Sequence, residues 1–188
     1  VIPIKNKDWE WSLSLNYAYN KNKIKKISNA LREQNEKNQA KGGVTPLPIY
    51  EEGQSLTALK VVSSAGIDPI TGNEVFIKSD GSLTFVYDPN DKVVYGDTTP
   101  FGMGSIGSYL TYKQFSMGMS MRYSFGGAVY NQTLASKVEG ADPRYNADER
   151  VFSSRWKEVG QQAKYKRISD SSVPMQTSRF VETNNYIT

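Results

Sequence analysis

Residues 9–19 alternate between apolar and polar side chains with a period of two, the pattern of a β-strand with two different faces. The apolar face carries indoles at one end, leucines in the middle and phenols at the other end, in the order Trp9, Trp11, Leu13, Leu15, Tyr17 and Tyr19. Aromatic rings favour the two membrane–water interfaces, and aliphatic side chains suit the hydrocarbon between them. A tilted strand needs roughly 9–11 residues to cross a bilayer. The segment therefore predicts a membrane-spanning β-strand.

A second alternating segment predicts a hairpin of two further strands. If Lys113-Gln114 is a two-residue turn, the apolar sets on its two sides fall on one face of the sheet, as register requires. That shared face carries Ile106, Leu110, Tyr112, Phe115, Met117, Met119, Met121, Tyr123 and Phe125. Aromatic residues again stand near both ends. We expect these residues, together with the first apolar row, to face lipid, and Glu10, Asn16 and Arg122 to face a lumen.

The connections between these strands are very unequal in length. We predict strands at about 8–26, 104–112, 115–125 and 179–188, separated by excursions at about 28–100 and 127–178. Outer-membrane barrels have short periplasmic turns and long extracellular loops. The predicted fold is therefore an all-β-dominated, antiparallel transmembrane β-barrel fragment whose long extracellular loops carry short helices, with residues 1–188 in one barrel domain.

Local signals predict structure inside the excursions. Ser28 is a suitable N-cap for a polar helix over 28–39, and Asp68–Gly72 has the composition of a turn. A capping-box-like start at Asn146 precedes apolar residues at helical spacing, and 128–137 is weakly helical. Short strands are expected at 56–63, 74–78, 83–87 and 92–95.

Composition makes catalysis and metal binding poor explanations. The chain has no Cys and no His, so it lacks thiolate ligands and the commonest general base. Carboxylate pairs for glycoside hydrolysis can be proposed at Glu149 with Glu158, or at Asp142 with Asp148, but exposed charges of a capped helix explain them better. We predict no catalytic residue, no cofactor and no metal site.

Charge and hydropathy are consistent with a barrel. The mean hydropathy is −0.56, as expected when apolar residues alternate with polar ones. The net charge is +4, and part of it is clustered at Lys21, Lys23, Lys25 and Lys26. This cluster is either a solvated strand end or a contact for anionic headgroups. It is too short to favour nucleic acid. No signal peptide begins the chain, so we expect a piece of a longer protein.

Several segments resemble, in order, the SusC/RagA-type TonB-linked outer-membrane transporters. The family's GxDPxTGxxxF element is similar to Gly66–Phe76. Further similar segments are Val93–Pro100, Tyr112–Ser116, Tyr123–Asn131, Arg150–Trp156 and Ser178–Tyr186. The resemblance covers nearly the whole chain and implies a position near the C-terminal end of a barrel of about 22 strands with a plugged lumen.

The resemblance also implies a function and partners. Family members import oligosaccharides or peptides through the outer membrane of Gram-negative bacteria. They work with a SusD-like surface lipoprotein and draw energy from TonB, through a part of the protein not contained in this sequence. Outer-membrane lipid and lipopolysaccharide would surround the barrel. Four or so spanning strands cannot close a barrel, so this segment alone should not be functional.

Two alternatives remain open. An ordinary soluble sheet with one buried face also alternates. A soluble surface carbohydrate-binding β module would explain the aromatic loops, with Tyr145 and Trp156 as candidate sugar-stacking residues, although the helical spacing of Trp156 with Val151 and Phe152 favours a core position. Solubility without detergent separates these alternatives from the barrel.

Overall fold

A computed structural model describes residues 1–142, 144–168 and 175–188. It contains eleven β-strands, numbered β1 to β11 in chain order: Ile4–Lys5, Trp9–Tyr19, Ala58–Ile67, Glu74–Ile77, Leu83–Thr84, Lys92–Asp97, Gly102–Tyr112, Phe115–Phe125, Ala128–Tyr130, Val181–Thr183 and Tyr186–Ile187. Helix α1 spans Asn29–Ala40 and helix α2 spans Arg150–Ser153. Short 3₁₀ segments lie at Pro89–Asp91 and Ser178–Phe180, and a π-helical segment lies at Leu134–Glu139. No helix among the described residues is long and apolar enough to cross a membrane.

The largest sheet is antiparallel and has the strand order β1-β2-β7-β8-β11. Strands β2, β7 and β8 each have 11 residues and pair along their whole length. Tyr112 pairs with Phe115 and Ile106 pairs with Met121, which is the predicted hairpin register. Lys113 adopts the left-handed conformation (φ 53°) that a two-residue hairpin turn requires. Within the described residues this sheet is open, with β1 and β11 at its edges.

The first spanning strand is shorter than the predicted range of 8–26. It ends at Tyr19, which pairs with Gly102 at the start of β7. One more ladder bond follows, from the Asn20 amide to the Phe101 carbonyl (3.0 Å). The ladder with β7 ends there, and the chain beyond Asn20 bonds instead to residues 53–56, through the Asn22 side chain and the Ile24 backbone.

The predicted strand at 179–188 is divided into two short strands that belong to different sheets. Strand β10 pairs with β9 in a separate two-stranded sheet, whereas β11 pairs with β8 in the large sheet. Asn184 and Asn185 lie between them and are held by the glycine pair at the end of β8: Gly127 accepts from the Asn184 amide and Gly126 donates to the Asn185 side chain (2.8 Å each).

The first excursion folds around a four-stranded antiparallel sheet of order β5-β4-β3-β6. Its buried core consists of Leu59, Val61, Val62 and Phe76. Helix α1 is capped by Ser28, as predicted, and has no buried residue. Asn35 holds it in place by bonding both the amide and the carbonyl of Tyr50 (3.0 and 2.6 Å). Polar contacts, not apolar burial, attach this helix.

The second excursion has its own apolar core, formed by Ala135, Val138, Val151, Tyr165 and Phe180. Its helices differ from the prediction. Residues 128–130 form strand β9, so only the later part of 128–137 is helical. The helix predicted from Asn146 contains only Arg150–Ser153; just before it, the Asp148 carboxylate accepts from the Arg150 amide (2.9 Å). Residues 143 and 169–174 of the predicted loop 127–178 lie outside the described residues.

Arg155 explains why this helix is short. Its guanidinium is buried and donates to the carbonyls of Val138, Glu139 and Val151 at 2.7–2.9 Å, and to that of Lys166 at 3.0 Å. Four hydrogen bonds from one guanidinium to backbone carbonyls fix the chain at this point. The next residue, Trp156, then donates its amide to Tyr165 at 3.1 Å, outside the helical pattern.

Candidate membrane-facing surface and loop core

The register of the large sheet assembles one apolar face from three strands. Residues paired directly across an antiparallel ladder point to the same side. The rows therefore align Trp9 with Tyr112 and Phe115, and Leu15 with Ile106 and Met121. All fifteen residues predicted to face lipid lie on this face: Trp9, Trp11, Leu13, Leu15, Tyr17, Tyr19, Ile106, Leu110, Tyr112, Phe115, Met117, Met119, Met121, Tyr123 and Phe125. We call this set the apolar face.

Aromatic side chains mark both ends of the apolar face. At one end the rings of Trp9 and Tyr112 lie 4.2 Å apart between centroids, next to Phe115. At the other end Tyr123 and Phe125 lie 5.6 Å apart. The aliphatic residues and methionines occupy the rows between. This is the distribution expected of a barrel strand, with aromatic girdles on either side of an apolar band.

Two polar groups on the apolar face have hydrogen-bond partners. The indole nitrogen of Trp11 donates to the Ser108 hydroxyl at 3.0 Å, and the Tyr123 hydroxyl donates to the Asn16 carbonyl at 3.0 Å. Gly104 allows the second contact, because a Cβ there would collide with the Tyr123 hydroxyl and the Asn16 carbonyl. Paired polar groups remove much of the cost of placing this face in hydrocarbon.

The apolar face is uncovered in the described chain. Leu15 is 75 % exposed, Met117 is 67 % exposed and Phe115 is 78 % exposed. Isolated apolar residues on a surface are ordinary, but a contiguous apolar patch built from three strands marks a surface that another apolar phase covers.

The opposite face of the large sheet is polar or small over much of its area. Glu10, Asn16 and Arg122 lie on this face, and Asn16 and Arg122 both pair with Ser105. Glu10 forms an exposed ion pair with Lys5 at 3.8 Å. Most other members are serines and glycines, with Tyr109 and Met103 as the large exceptions. That these three residues face a lumen remains a prediction.

A buried ionic cluster joins the two excursions. Arg179 donates to both carboxylate oxygens of Glu74 at 2.7 Å and to both of Glu139 at 2.7 and 2.8 Å. Lys166 lies 3.3 Å from Glu139, and Arg179 also donates to the Lys164 carbonyl at 2.7 Å. Two carboxylates and two cations are thus neutralised together. We call these four charged residues (Glu74, Glu139, Lys166 and Arg179) the ionic cluster.

The protonation states in the ionic cluster follow from this pairing. Burial by itself would raise the pKa of Glu74, but the hydrogen bonds and attraction of Arg179, with help from Ser64 and Lys166, outweigh burial and leave that pKa below its ordinary value of 4.5. Burial would lower the pKa of Arg179, but its two carboxylate partners raise it. Both groups are therefore charged at neutral pH.

Sequence reasoning missed the ionic cluster. The available signal was weak: Glu74 is a charged residue in a short apolar strand, and Arg179 precedes the apolar pair Phe180-Val181. Charges in apolar runs need a partner when buried. Nothing in a single sequence indicates which partner, because the two residues are 105 positions apart.

Trp156 lies against the turn formed by Asp68–Gly72. Its indole nitrogen donates to the Pro69 carbonyl at 2.9 Å, and its ring occupies the space next to Gly72 (φ +70°), where a Cβ would collide with it. Tyr145 is 74 % exposed and lines a depression of about 460 Å³ together with Lys137 and Asn146. Trp156 does not line that depression. The structure therefore does not bring the two proposed ligand-binding residues to one site, and their binding role remains a prediction.

Two of the four candidate carboxylates, Asp142 and Asp148, are engaged in local structure. Asp142 pairs with Arg144 and Asp148 pairs with Arg150, each through two or more hydrogen bonds of 2.6–3.1 Å. The arginine hydrogen bonds lower the pKa of each aspartate to about 2. A general acid for glycoside hydrolysis needs a raised pKa. These aspartates have the opposite shift.

The acidic turns use their carboxylates in turn geometry. Asp68 accepts from the Thr71 hydroxyl at 2.6 Å and from the Ile70 and Thr71 amides. Asp80 accepts from Ser82 in the same way. Among residues 1–142, 144–168 and 175–188, no group of three or more His, Cys, Asp or Glu side chains could hold a metal ion.

The architecture is therefore that of a segment of an antiparallel transmembrane barrel with long, folded connections. The chain is similar to the solved structure of the RagAB peptide transporter, with a TM-score of 0.77, 19 % identity, and coverage of 99 % of this chain and 20 % of that chain. It is also similar to the RagAB peptide importer in the "open-open" state (TM-score 0.73) and the "closed-closed" state (TM-score 0.69), each at 20 % identity and with the same coverage.

These likenesses confirm, at the level of fold, the resemblance to SusC/RagA-type transporters and the predicted barrel-fragment fold class. The chain spans 20 % of the length of the transporter chains that it matches. No family model matches the sequence, and no curated protein sequence matches it.

Proposed function

We propose that this chain forms part of the wall and long loops of a TonB-dependent nutrient transporter in the outer membrane of a Gram-negative bacterium. The observation that carries the proposal is the fold match over 99 % of the chain. The apolar face supports it independently, because a bilayer supplies the apolar phase that this surface needs. In this role the strands contribute no chemistry, and the protein moves its substrate without changing it.

The orientation follows from the loops. The two-residue turn at Lys113-Gln114 lies on the periplasmic side, and the excursions 28–100 and 127–178 lie outside the cell. The polar face with Glu10, Asn16 and Arg122 then faces the lumen and its plug. This orientation places the ionic cluster in the extracellular part of the protein.

The proposed substrate is a peptide, with an oligosaccharide as the second candidate. Peptide is favoured because the similar solved structures are described as a peptide transporter and importer. Of the two residues proposed for ligand contact, Tyr145 has the more accessible ring, whereas one side of the Trp156 ring lies on Gly72. TonB would act through another part of the full-length protein.

A SusD-like surface lipoprotein is the proposed partner of the loops. A partner that closes over a barrel needs a surface that keeps its shape. The two excursions provide one, because each has a buried apolar core and the ionic cluster ties them together. Flexible loops would lose conformational entropy each time the partner binds, which would weaken binding.

Fractionation and surface labelling of the full-length protein test this proposal. Single cysteines are introduced at Lys78 and Gln114, in a background free of other cysteines, and intact cells are treated with a membrane-impermeant maleimide. We expect the protein in the outer-membrane fraction, with Lys78→Cys labelled and Gln114→Cys labelled only after permeabilisation. The reverse labelling would contradict the orientation. A protein that is soluble without detergent would instead favour a carbohydrate-binding module.

A further inference from the structure

The lysines that follow β2 form a regular exposed row. Lys21, Lys23 and Lys25 are exposed, whereas Asn22 and Ile24 between them are half-buried. We call these three lysines the lysine row. Their alternation with half-buried residues shows that this segment presents one side to solvent and the other to the protein.

Hydrogen bonds on the inner side fix the row. The Asn22 side chain accepts from the Leu56 amide at 2.8 Å and from the Ser55 hydroxyl at 3.0 Å. The Ile24 amide donates to the Gln54 carbonyl, and the Ile24 carbonyl accepts from the Gly53 amide, both at 2.8 Å. The segment is thus anchored to 53–56 along its length. The lysine side chains project from a fixed backbone and not from a free loop.

The lysine row continues the odd-numbered series of β2. That series ends at the aromatic pair Tyr17 and Tyr19, which form one end of the apolar face. The lysines therefore begin two residues beyond an aromatic girdle, which is the depth at which lipid headgroups lie. Successive members of an extended row are roughly 7 Å apart, so each ammonium can reach a different phosphate group.

The positive charge of the row is not neutralised by the protein. Among the described residues, no carboxylate forms an ion pair with Lys21, Lys23 or Lys25. The two acidic residues directly before the anchoring segment 53–56 already have partners: Glu51 pairs with Lys60, and Glu52 pairs with Arg32 at 3.1 Å. Glu52 also accepts from the Ile27 amide at 3.2 Å. The row is available to an anionic ligand.

We propose that the lysine row binds the phosphate groups of the lipid headgroups that surround the barrel. In the outward-facing leaflet of an outer membrane these are the phosphates of the lipid anchor of lipopolysaccharide. The inference rests on the proposed function, because it needs the apolar face in a bilayer and the excursions outside the cell. Lysine near an anionic bilayer surface is attracted to it, and three in one row act together. Binding by the row would fix how deeply this part of the barrel wall sits in the bilayer and how it is rotated within it.

The test measures lipid binding by the full-length protein. Purified protein in a zwitterionic detergent is titrated with rough-type lipopolysaccharide that carries its lipid phosphates, and with the same material after enzymatic dephosphorylation. The triple variant K21Q/K23Q/K25Q is compared with K37Q/K41Q/K78Q, which removes the same charge from exposed lysines outside the row. Inorganic phosphate at the same molar concentration as the lipid phosphate is the third arm.

We expect K21Q/K23Q/K25Q to weaken binding of phosphorylated lipopolysaccharide by roughly a hundredfold at low salt, and the control triple variant to change it less than about threefold. Dephosphorylated material should bind both proteins equally weakly. Equal binding by the two triple variants would overturn the inference, and so would complete displacement by inorganic phosphate, which would identify a free-anion site. If either result is obtained with a protein that fractionates with the outer membrane, the proposed function stands and only this inference fails.

Discussion

Arg179 holds Glu74 by two parallel hydrogen bonds of 2.7 Å, although 105 residues separate them in the chain. The same guanidinium binds Glu139, so one side chain joins β4 in the first excursion to the π-helical segment in the second. Arg179 itself lies in the 3₁₀ segment Ser178–Phe180, which leads into β10. A planar guanidinium suits this role, because its donors match two carboxylates at once. The two excursions therefore fold as one body around this arginine.

Removing Glu74 should loosen that body strongly. Glu74→Ala leaves the buried guanidinium of Arg179 with one carboxylate fewer, and breaking a buried pair from one side costs about 3–5 kcal/mol. Native-state proteolysis of the excursions in the full-length protein measures the free energy of opening. Glu33→Ala, on the exposed helix α1, is the control and should change this energy by less than about 0.5 kcal/mol. Equal effects of the two substitutions would show that the ionic cluster does not stabilise the loops.

The stability of the excursions should fall in acid because of the same contact. The pKa of Glu74 is lower in the folded state than its ordinary value of 4.5, so the unfolded state binds the proton more readily. The contribution of this carboxylate is therefore fully present above pH 4.5 and is lost as the pH falls through the lower, folded pKa. Proteolysis between pH 3 and pH 7 should show this loss, and Glu74→Gln should flatten that part of the profile. An unchanged profile in Glu74→Gln would contradict the prediction.

The large sheet was predictable from sequence because its information is local and periodic. Only two residues lie between Tyr112 and Phe115 at the turn, and once that turn is placed, alternation fixes the partners of Leu110 and Ile106. The Ser28 cap and the Asp68–Gly72 turn were also predictable, because each depends on side chains that bond their own neighbouring backbone.

The loop core was not predictable, because it depends on contacts between distant residues. Val151, Phe152 and Arg155 have helical spacing, yet the helix ends at Ser153, since the Arg155 guanidinium is bound by carbonyls of Val138 and Glu139. Strand β2 ends at Tyr19, before the predicted end at residue 26, since the chain from Asn22 onwards bonds to residues 53–56 and no longer to β7. Contacts between residues that are distant in sequence set these boundaries, and one sequence alone does not indicate which residues make the contacts.

Arginine substitutions along the sheet should distinguish its two faces. Leu13 and Met119 both pair with Ser108, so they share the central row of the apolar face. Leu13→Arg or Met119→Arg should cost roughly 2–4 kcal/mol near the bilayer midplane. Ser14→Arg and Ser120→Arg, one residue away on the opposite face, are matched controls and should be milder. Unfolding of the full-length barrel in liposomes measures all four, and the reverse order would show that the two faces are assigned the wrong way round.

Comparing alanine substitutions at two glycines, Gly72 and Gly81, tests whether Trp156 fixes the turn at Asp68–Gly72. Gly72 and Gly81 both have positive φ (+70° and +85°), but a Cβ at Gly72 meets the Trp156 ring, whereas at Gly81 it meets nothing within 4 Å. Gly81→Ala should therefore cost only the backbone strain of about 1–2 kcal/mol. Gly72→Ala should cost more, since the ring must move and its bond to the Pro69 carbonyl is lost.

A double-mutant cycle separates the ring contact from the strain at Gly72. In a Trp156→Leu background, which removes the indole, the cost of Gly72→Ala should fall towards that of Gly81→Ala, because a smaller side chain can give way. The free energy of opening, measured by proteolysis of the excursions, supplies all the values. If Gly72→Ala costs the same in both backgrounds, the indole does not hold this turn. Trp156 would then be free to serve as a ligand contact, and its role in holding the turn at Asp68–Gly72 would have to be abandoned.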